Sequence, residues 1–434
     1  MDQPCSPNIA AAFAHYEPYG IVPEGWMDQL RLVRESCPVV RSDACGGVWL
    51  VVRHHDVAKI LRTSTMFSSA DGVTIPHNPD APVMPPIDLD PPLQAEFRRL
   101  LNPYFMSQAI RPYAPVIAAL ARQLVDRFAA QGHCELTSAF ARPLPALVLG
   151  RLVLGIEDPD ALFDLQSRVA VISGQNTSEE AATAWRFLHG YVTTVAAAAR
   201  NRPADGGLVS ALVRGRVTGR PVTEQEQVGT LMIIILGGLG TTADAISDIV
   251  VRLTDDPALE ARLREPGWAS RDLAELFRHE SPVQWVGRTV TTPVELSGVQ
   301  LAPGDRVMAH IGSANHDEAV FSGGGTLDFT RSQARNLCYG LGPHYCIGAP
   351  LAKLMIQIAF AELLGQVTHL QRDVSVPLNR RDGLSRPYSE LRIKFQAREA
   401  GHGARRVGRW LARSLALSSA FISDPSVATG CPNA

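Results

Sequence analysis

At 434 residues the chain is long enough to bury a large core, in one big domain or two. Its 41 basic against 43 acidic residues leave a formal charge of -2, which excludes the strongly basic field of a nucleic-acid binder. A hydrophobic content of 46% with 19% charged residues is ordinary for a soluble globular protein.

The opening residues Met1-Asp2-Gln3-Pro4-Cys5 lack the basic-then-apolar order of a secretory signal. The longest apolar run, Leu231 to Leu239, is far short of the roughly 18 residues a membrane span needs. Cys5, Cys37, Cys45, Cys134, Cys338, Cys346 and Cys431 are scattered and odd in number, which is no disulfide framework and suits a reducing cytosol. The expectation is a cytoplasmic protein without a transmembrane anchor.

In chain order, residues 25–36 read as an amphipathic helix, Gly46 to Val52 as a strand leaving a glycine turn, and Asp56 to Leu61 as a short helix. Residues 71–92 read as loop, with prolines at 76, 79, 82, 85, 86, 91 and 92; a loop of that length is functional or disordered. A helix is expected in the stretch Leu93 to Phe105, where Gln94 and Arg98 share one face. Residues 113–217 read as successive amphipathic helices jointed at 131–135, 156–160 and 201–207, without a chemical motif of their own.

Thr223-Glu224-Gln225-Glu226 fits a capping box and opens a helix running to about Thr254, roughly 46 Å long. Its middle holds Gly237, Gly238 and Gly240 beside Thr241. Glycine inside a helix costs about 1 kcal/mol against alanine, so the cluster calls for a reason. Close helix packing is one; a widened groove is the other. Further on, Glu275 and Arg278 can pair on a helix expected to be capped near Ser270. Residues Pro293 to Val307 alternate like a small sheet, with Pro303-Gly304 between strands.

The stretch Tyr339-Gly340-Leu341-Gly342-Pro343-His344-Tyr345-Cys346-Ile347-Gly348 precedes an apolar helix from Pro350 to Leu364. Its first two glycines, lacking Cβ, let the backbone lie close against something bulky. Cys346 at a helix start meets the positive end of the macrodipole and unpaired N–H groups, and both favour the metal-ligating thiolate. A lone cysteine there reads as a buried thiol after a turn. This one is not alone: the order aromatic-Gly-x-Gly-x-His-x-Cys-x-Gly resembles the haem-binding loop of the cytochrome P450 family.

From about residue 8 to 395 the chain resembles a soluble bacterial-type member of that family. The resemblance implies a mainly α fold with a smaller β-rich lobe (α+β, a single large haem domain over residues 1–398) that encloses haem b. Cys346 is then the proximal iron ligand, pushing electron density into the iron to favour O–O cleavage. Tyr339 stands where phenylalanine is usual and shields the sulfur, its hydroxyl offering an additional hydrogen bond, and Gly340 belongs to the same cofactor loop. Arg98, Gln94, Arg288 and His344 are the implied partners of the haem propionates, although many relatives have histidine in place of Gln94. Cys338 reads as a packed small apolar residue. Glu275, Arg278 and Arg331 would lock the core beneath the haem, and His316 is read as structural.

On the opposite side, Gly238, Gly240 and Thr241 would form the groove for dioxygen, Thr241 hydrogen-bonding the bound oxygen. Gly240 departs from the family pattern, which has a proton-relaying acid there. A water chain or another side chain, substrate groups, or a peroxide-driven reaction are the alternatives; Asp244, one turn on, is not assigned the role. The loop at 71–92 would cover the substrate pocket. Ile233 to Gly238, Val283, Trp285 and Val286 form an apolar wall with Gln284 its one polar group, which suits a small hydrophobic substrate. No flavin or iron–sulfur motif is visible, so a ferredoxin and its reductase are the expected electron donors. The implied activity is a monooxygenase; a peroxide-driven haem enzyme and a non-catalytic haem sensor are the alternatives. Residues 399–434 form a basic and apolar tail, read either as untethered or, through Arg405 to Leu417, as docking on an acidic redox partner or an anionic membrane.

Overall fold

The computed structural model describes residues 7–19, 25–77, 81–156, 158–174 and 178–398. The tail at 399–434 therefore lies outside the described residues. Helices dominate, and most of them bury their apolar stripes in one large core. The 32-residue helix Glu224–Asp255 runs through that core. Its start is the expected capping box: the Thr223 side chain accepts from the Glu226 N–H, and the Glu226 carboxylate accepts from the Thr223 N–H. Among the described residues it is the helix long and apolar enough to cross a membrane, yet 67% of its most apolar window is buried inside the protein.

Around it stand the helices Leu93–Phe105, Ala114–Asp126, Pro143–Leu149, Pro159–Gly174, Glu179–Arg200 and Leu208–Arg214. The joints at 131–135 and 201–207 fall between these helices as expected, whereas the helix Pro159–Gly174 already begins inside the joint expected at 156–160. The break before Glu179, capped by Ser178, was not among them. The helix Trp268–Glu280 begins earlier than its polar residues suggest. Its N-cap is Gly267 at φ 80°, and Ser270 lies inside the first turn, donating to the Gly267 carbonyl.

The β-rich lobe is a five-stranded sheet in the order Val39–Ser42, Val48–Val51, Arg306–Ala309, Val286–Val290, Phe67–Ser68. Only the Val48–Val51 and Arg306–Ala309 pair is parallel. The alternation from Pro293 to Val307 resolves into two structures rather than one small sheet. Val294–Leu296 and Val299–Leu301 make a hairpin, and the chain after Gly304 joins the large sheet instead. In that sheet Val307 pairs with Arg288, which sets the arginine on a central strand.

Cys45, Cys134, Cys338 and Cys346 are free, whereas Cys37 is disulfide-bonded, against the expectation from cysteine count. Cys338 packs in the main core, as expected for a small apolar residue.

Candidate active site

The cysteine loop is shaped by backbone demands. Gly340 and Gly342 have φ of 72° and 71°, a region that L side chains rarely adopt. A Cβ on Gly342 would stand 2.7 Å from the Leu61 carbonyl oxygen and 2.9 Å from the Arg62 Cα. The loop thus lies directly against the end of the helix His54–Arg62. The Cys346 N–H donates to the Tyr339 carbonyl over 2.9 Å and closes the loop. The helix Ala349–Gln366 then begins after Gly348.

This geometry places Cys346, itself exposed, in the lining of a large, mainly apolar cavity. Burial pushes its thiol up, while the N–H groups of Gly348 and Ala349 and the charges of Arg98 and Lys353 pull it down. The helix start does favour the thiolate, but burial outweighs it. A metal cation at the sulfur would reverse that balance. Tyr339 packs edge-on to Phe277 with ring centroids 5.3 Å apart, and Lys353 Nζ lies 4.9 Å from its ring centre. The Tyr339 hydroxyl is buried and makes no hydrogen bond, so the additional bond expected of it is absent from this arrangement.

Across the cavity runs the long helix. Ile233, Ile234, Leu236, Gly237, Gly238, Gly240 and Thr241 line it; Ile235 points into the core, as the helical period requires. Both reasons for the glycine cluster hold, at different positions. A Cβ on Gly238 would meet Leu149 Cδ2 at 2.8 Å, so that glycine serves helix packing, whereas a Cβ on Gly237 would meet nothing within 4 Å. The Thr241 hydroxyl donates to the Gly237 carbonyl over 2.7 Å, which leaves its oxygen lone pairs to accept from the cavity. Gly240 brings no side chain. Asp244 does not line the cavity; it is buried, and burial pushes its carboxyl up to about 6.

One region of the wall is cationic. Arg98 lines the cavity and makes no hydrogen bond or ion pair with any described residue. Arg288 is buried and donates only to the Gly287 carbonyl at 2.7 Å; burial pulls it down to about 10 against the opposing charges of Asp90 and Asp88. His344 Nε2 is 3.2 Å from Ser69 Oγ, and burial, reinforced by Arg288 and Arg98, pulls the ring down to about 4. Guanidinium groups left without carboxylates in an apolar cavity call for an anionic ligand. A thiol facing the same space calls for a soft or borderline metal. The residues present therefore fit an iron porphyrin with its propionates.

Other expected residues lie elsewhere. Gln94 is buried outside the cavity wall, and its Nε2 donates to the Pro343 carbonyl over 2.6 Å. It ties its helix to the cysteine loop instead of reaching the cofactor space. Gln284 turns its amide to the Glu280 and Ser281 carbonyls, and Trp285 packs in a separate core beside Tyr19. Val283 and Val286 do line the cavity. Sequence reasoning missed apolar lining residues such as Leu149, Ile172 and Trp185, and among polar ones Asp88, His77, Thr74 and Ser385. The polar ones come from irregular segments and carried no motif.

Beneath the site, Arg278 and Glu275 are both fully enclosed and pair twice at 2.8 Å. Arg278 also donates to the carbonyls of Asn315, Gly324 and Thr326 at 2.6, 2.8 and 2.9 Å. Arg331 reaches Glu275 at 3.4 Å, and His316 Nδ1 lies 2.8 Å from the Gly312 carbonyl oxygen. The backbone that carries the cysteine loop is thereby anchored by one saturated charge cluster.

A cavity cysteine facing a threonine-bearing glycine groove, in a wall with unpaired guanidinium groups, is the arrangement a haem-thiolate protein needs. Independent comparisons agree. The family model described as Cytochrome P450 matches residues 272–395. Cytochrome P450-SU2 of Streptomyces griseolus is 33% identical over 352 residues, 77% of this chain and 84% of that protein. Linalool 8-monooxygenase of Pseudomonas putida is 28% identical over 361 residues, covering 79% and 88%. Among solved structures, CYP109E1 from Bacillus megaterium in complex with testosterone superposes with a TM-score of 0.77 at 26% identity, covering 85% of this chain and 97% of that one. The chain belongs to the cytochrome P450 family. It has that family's fold, uses haem as cofactor, and is a monooxygenase that depends on dioxygen and redox partners.

Proposed function

We propose that this chain oxidises a mainly hydrophobic small molecule, most simply by hydroxylation, with electrons from a ferredoxin and its reductase in the cytoplasm. The observation that carries the reading is the pairing, around one apolar cavity, of the Cys346 thiol with the unpaired Arg98 and Arg288. Residues up to 398 are read as one haem domain, and its long apolar helix as a core helix rather than an anchor. Bound there, haem iron would supply the activation of dioxygen, and dioxygen the oxygen atom transferred to substrate.

The chain's own residues have separable roles in this reading. Cys346 would hold the iron, and Arg98, Arg288 and His344 would hold the propionates. Gly237 leaves space in the groove above, and the Thr241 oxygen accepts a hydrogen bond there. Apolar side chains of the long helix and of Val283 and Val286 hold substrate and exclude bulk water. Tyr339 covers the cysteine side of the cofactor. Reconstitution with a ferredoxin, its reductase and labelled dioxygen tests the reading: label should appear in product at a rate that depends on reductant. Gly240 favours a second reading, since no carboxylate stands in the groove to deliver protons. Turnover on hydrogen peroxide that matches turnover on reductant would support that one instead.

A further inference from the structure

Behind the cavity wall lies a carboxyl group that no cation holds. Asp244 stands on the long helix one turn beyond Gly240 and Thr241, on the face they share. It is buried, forms no ion pair among the described residues, and its Oδ2 has no hydrogen-bond partner. Asp248, a turn further on, is different: Arg380 donates to it over 2.5 Å. The cavity follows the helix past Thr241 to Thr242 and Ala245, and so reaches the turn that carries Asp244. Ser385 stands between the two. It lines the cavity, is bridged to the wall residue Val283, and its side chain hydrogen-bonds the Asp244 carboxyl.

A buried acid without an ion-pair partner keeps its proton more readily than an exposed one. Burial raises the Asp244 carboxyl to about 6, while the Ser385 hydrogen bond and the charges of Arg380 and Arg142 pull it down. The neighbouring acid on the same helix, Asp248, has Arg380 as its own partner. A carboxyl so poised both gives and takes a proton near neutral pH, as general acid–base work requires. A serine hydroxyl accepts and donates at once, so it passes a proton between groups that do not touch. Gly240 brings no acid to the groove, and Asp244 with Ser385 forms a route to the same cavity from behind its wall.

We propose that Asp244 supplies protons to the cavity through the Ser385 hydroxyl, the supply for which Gly240 offers no side chain. The inference rests on the haem-thiolate reading, since oxygen is reduced in that same cavity. In each transfer the Asp244 O–H bond breaks as Ser385 Oγ takes the proton, and Ser385 releases its own proton into the cavity. Ser385 ends as it began. Asp244 is left as a carboxylate, stabilised by Arg380 and Arg142, and takes its next proton from solvent. Two such protons, with two electrons from the redox partners, turn dioxygen into one inserted oxygen atom and one water.

The test turns over the haem-loaded full chain with hydrogen peroxide and guaiacol at about pH 6. Peroxide brings oxygen and electrons together, and its outer oxygen leaves as water only once protonated. Asp244→Asn and Ser385→Ala should each cut the rate at saturating peroxide about a hundredfold, with the half-saturating concentration moved by less than about threefold. The double variant should be no slower than either, because both act in one relay. Ser385→Thr, which keeps the hydroxyl, should recover most of the rate. Independently of turnover, infrared spectra at about pH 5 should show protonated-carboxyl intensity in wild type that Asp244→Asn lacks. A wild-type rate in either single variant overturns the proposal, as do losses that multiply in the double variant, an unchanged infrared band, or a wild type that peroxide does not turn over. If Asp244→Asn does not hold haem, Ser385→Ala decides alone. A wild-type spectrum without thiolate-ligated haem would instead sink the underlying reading.

Discussion

At the scale of single residues, side chains that make chemistry are distinct from those that make space. Gly237 and Gly238 are neighbours in sequence with opposite prospects. Gly238→Ala drives a methyl into Leu149, so it should destabilise the protein by about 1–3 kcal/mol in denaturant titration. Gly237→Ala meets no atom, so it should leave stability equal or up to about 1 kcal/mol higher. Its methyl enters the groove, however, and should weaken ligand-induced spin shifts. Asp88 adds a pH signature. Its folded value of about 6 lies above the ordinary value near 3.8. Between those values the folded chain keeps a proton that the unfolded chain releases, so stability falls as pH rises from about 4 to about 6, by up to about 3 kcal/mol. Asp88→Asn should flatten that fall in unfolding midpoints measured across the window; an unchanged slope would show that Asp88 is not held in this environment.

At the scale of elements, what the sequence revealed depended on how local the cause was. The capping box at Thr223 and Glu226 needs only four consecutive residues, and it starts the long helix as read. The helix starting at Trp268 depends on a left-handed glycine with no side-chain bond, which Ser270 masked. The alternation after Pro293 identified strands but not their partners, because pairing Val307 with Arg288 and Trp49 is a long-range choice. The same limit explains Gln94 and Gln284. The helical position of Gln94 was legible, but its amide is captured by the distant Pro343 carbonyl, while that of Gln284 folds back on the Glu280 and Ser281 carbonyls where the helix Trp268–Glu280 ends. The burial of Asp88 was invisible for a related reason, since it follows from a turn and not from any repeated spacing.

The enclosed cluster of Glu275, Arg278 and Arg331 is where one element depends most on another. Arg278→Met leaves the Glu275 carboxylate buried without its bidentate partner, and three carbonyls lose their donor. A loss of about 3–5 kcal/mol is expected, with failure to retain haem after gel filtration. Retention of haem at normal stoichiometry would show that the cluster is dispensable.

At the scale of the whole molecule, the fold places two unlike walls around one cavity. The sheet and the cysteine loop bring Arg288, His344 and Cys346 to one side; the long helix brings apolar side chains and Thr241 to the other. Gly342 sets the loop against the helix His54–Arg62, so thiol position is inherited from scaffold packing. The central claim is that Cys346 ligates the haem iron. The most direct measurement is the spectrum of the reduced, carbon-monoxide-bound protein, wild type beside Cys346→Ala. A thiolate-type spectrum in wild type, lost in a variant that still folds, is the predicted result. A thiolate-type spectrum that survives the substitution, or one that wild type never shows, would contradict the account.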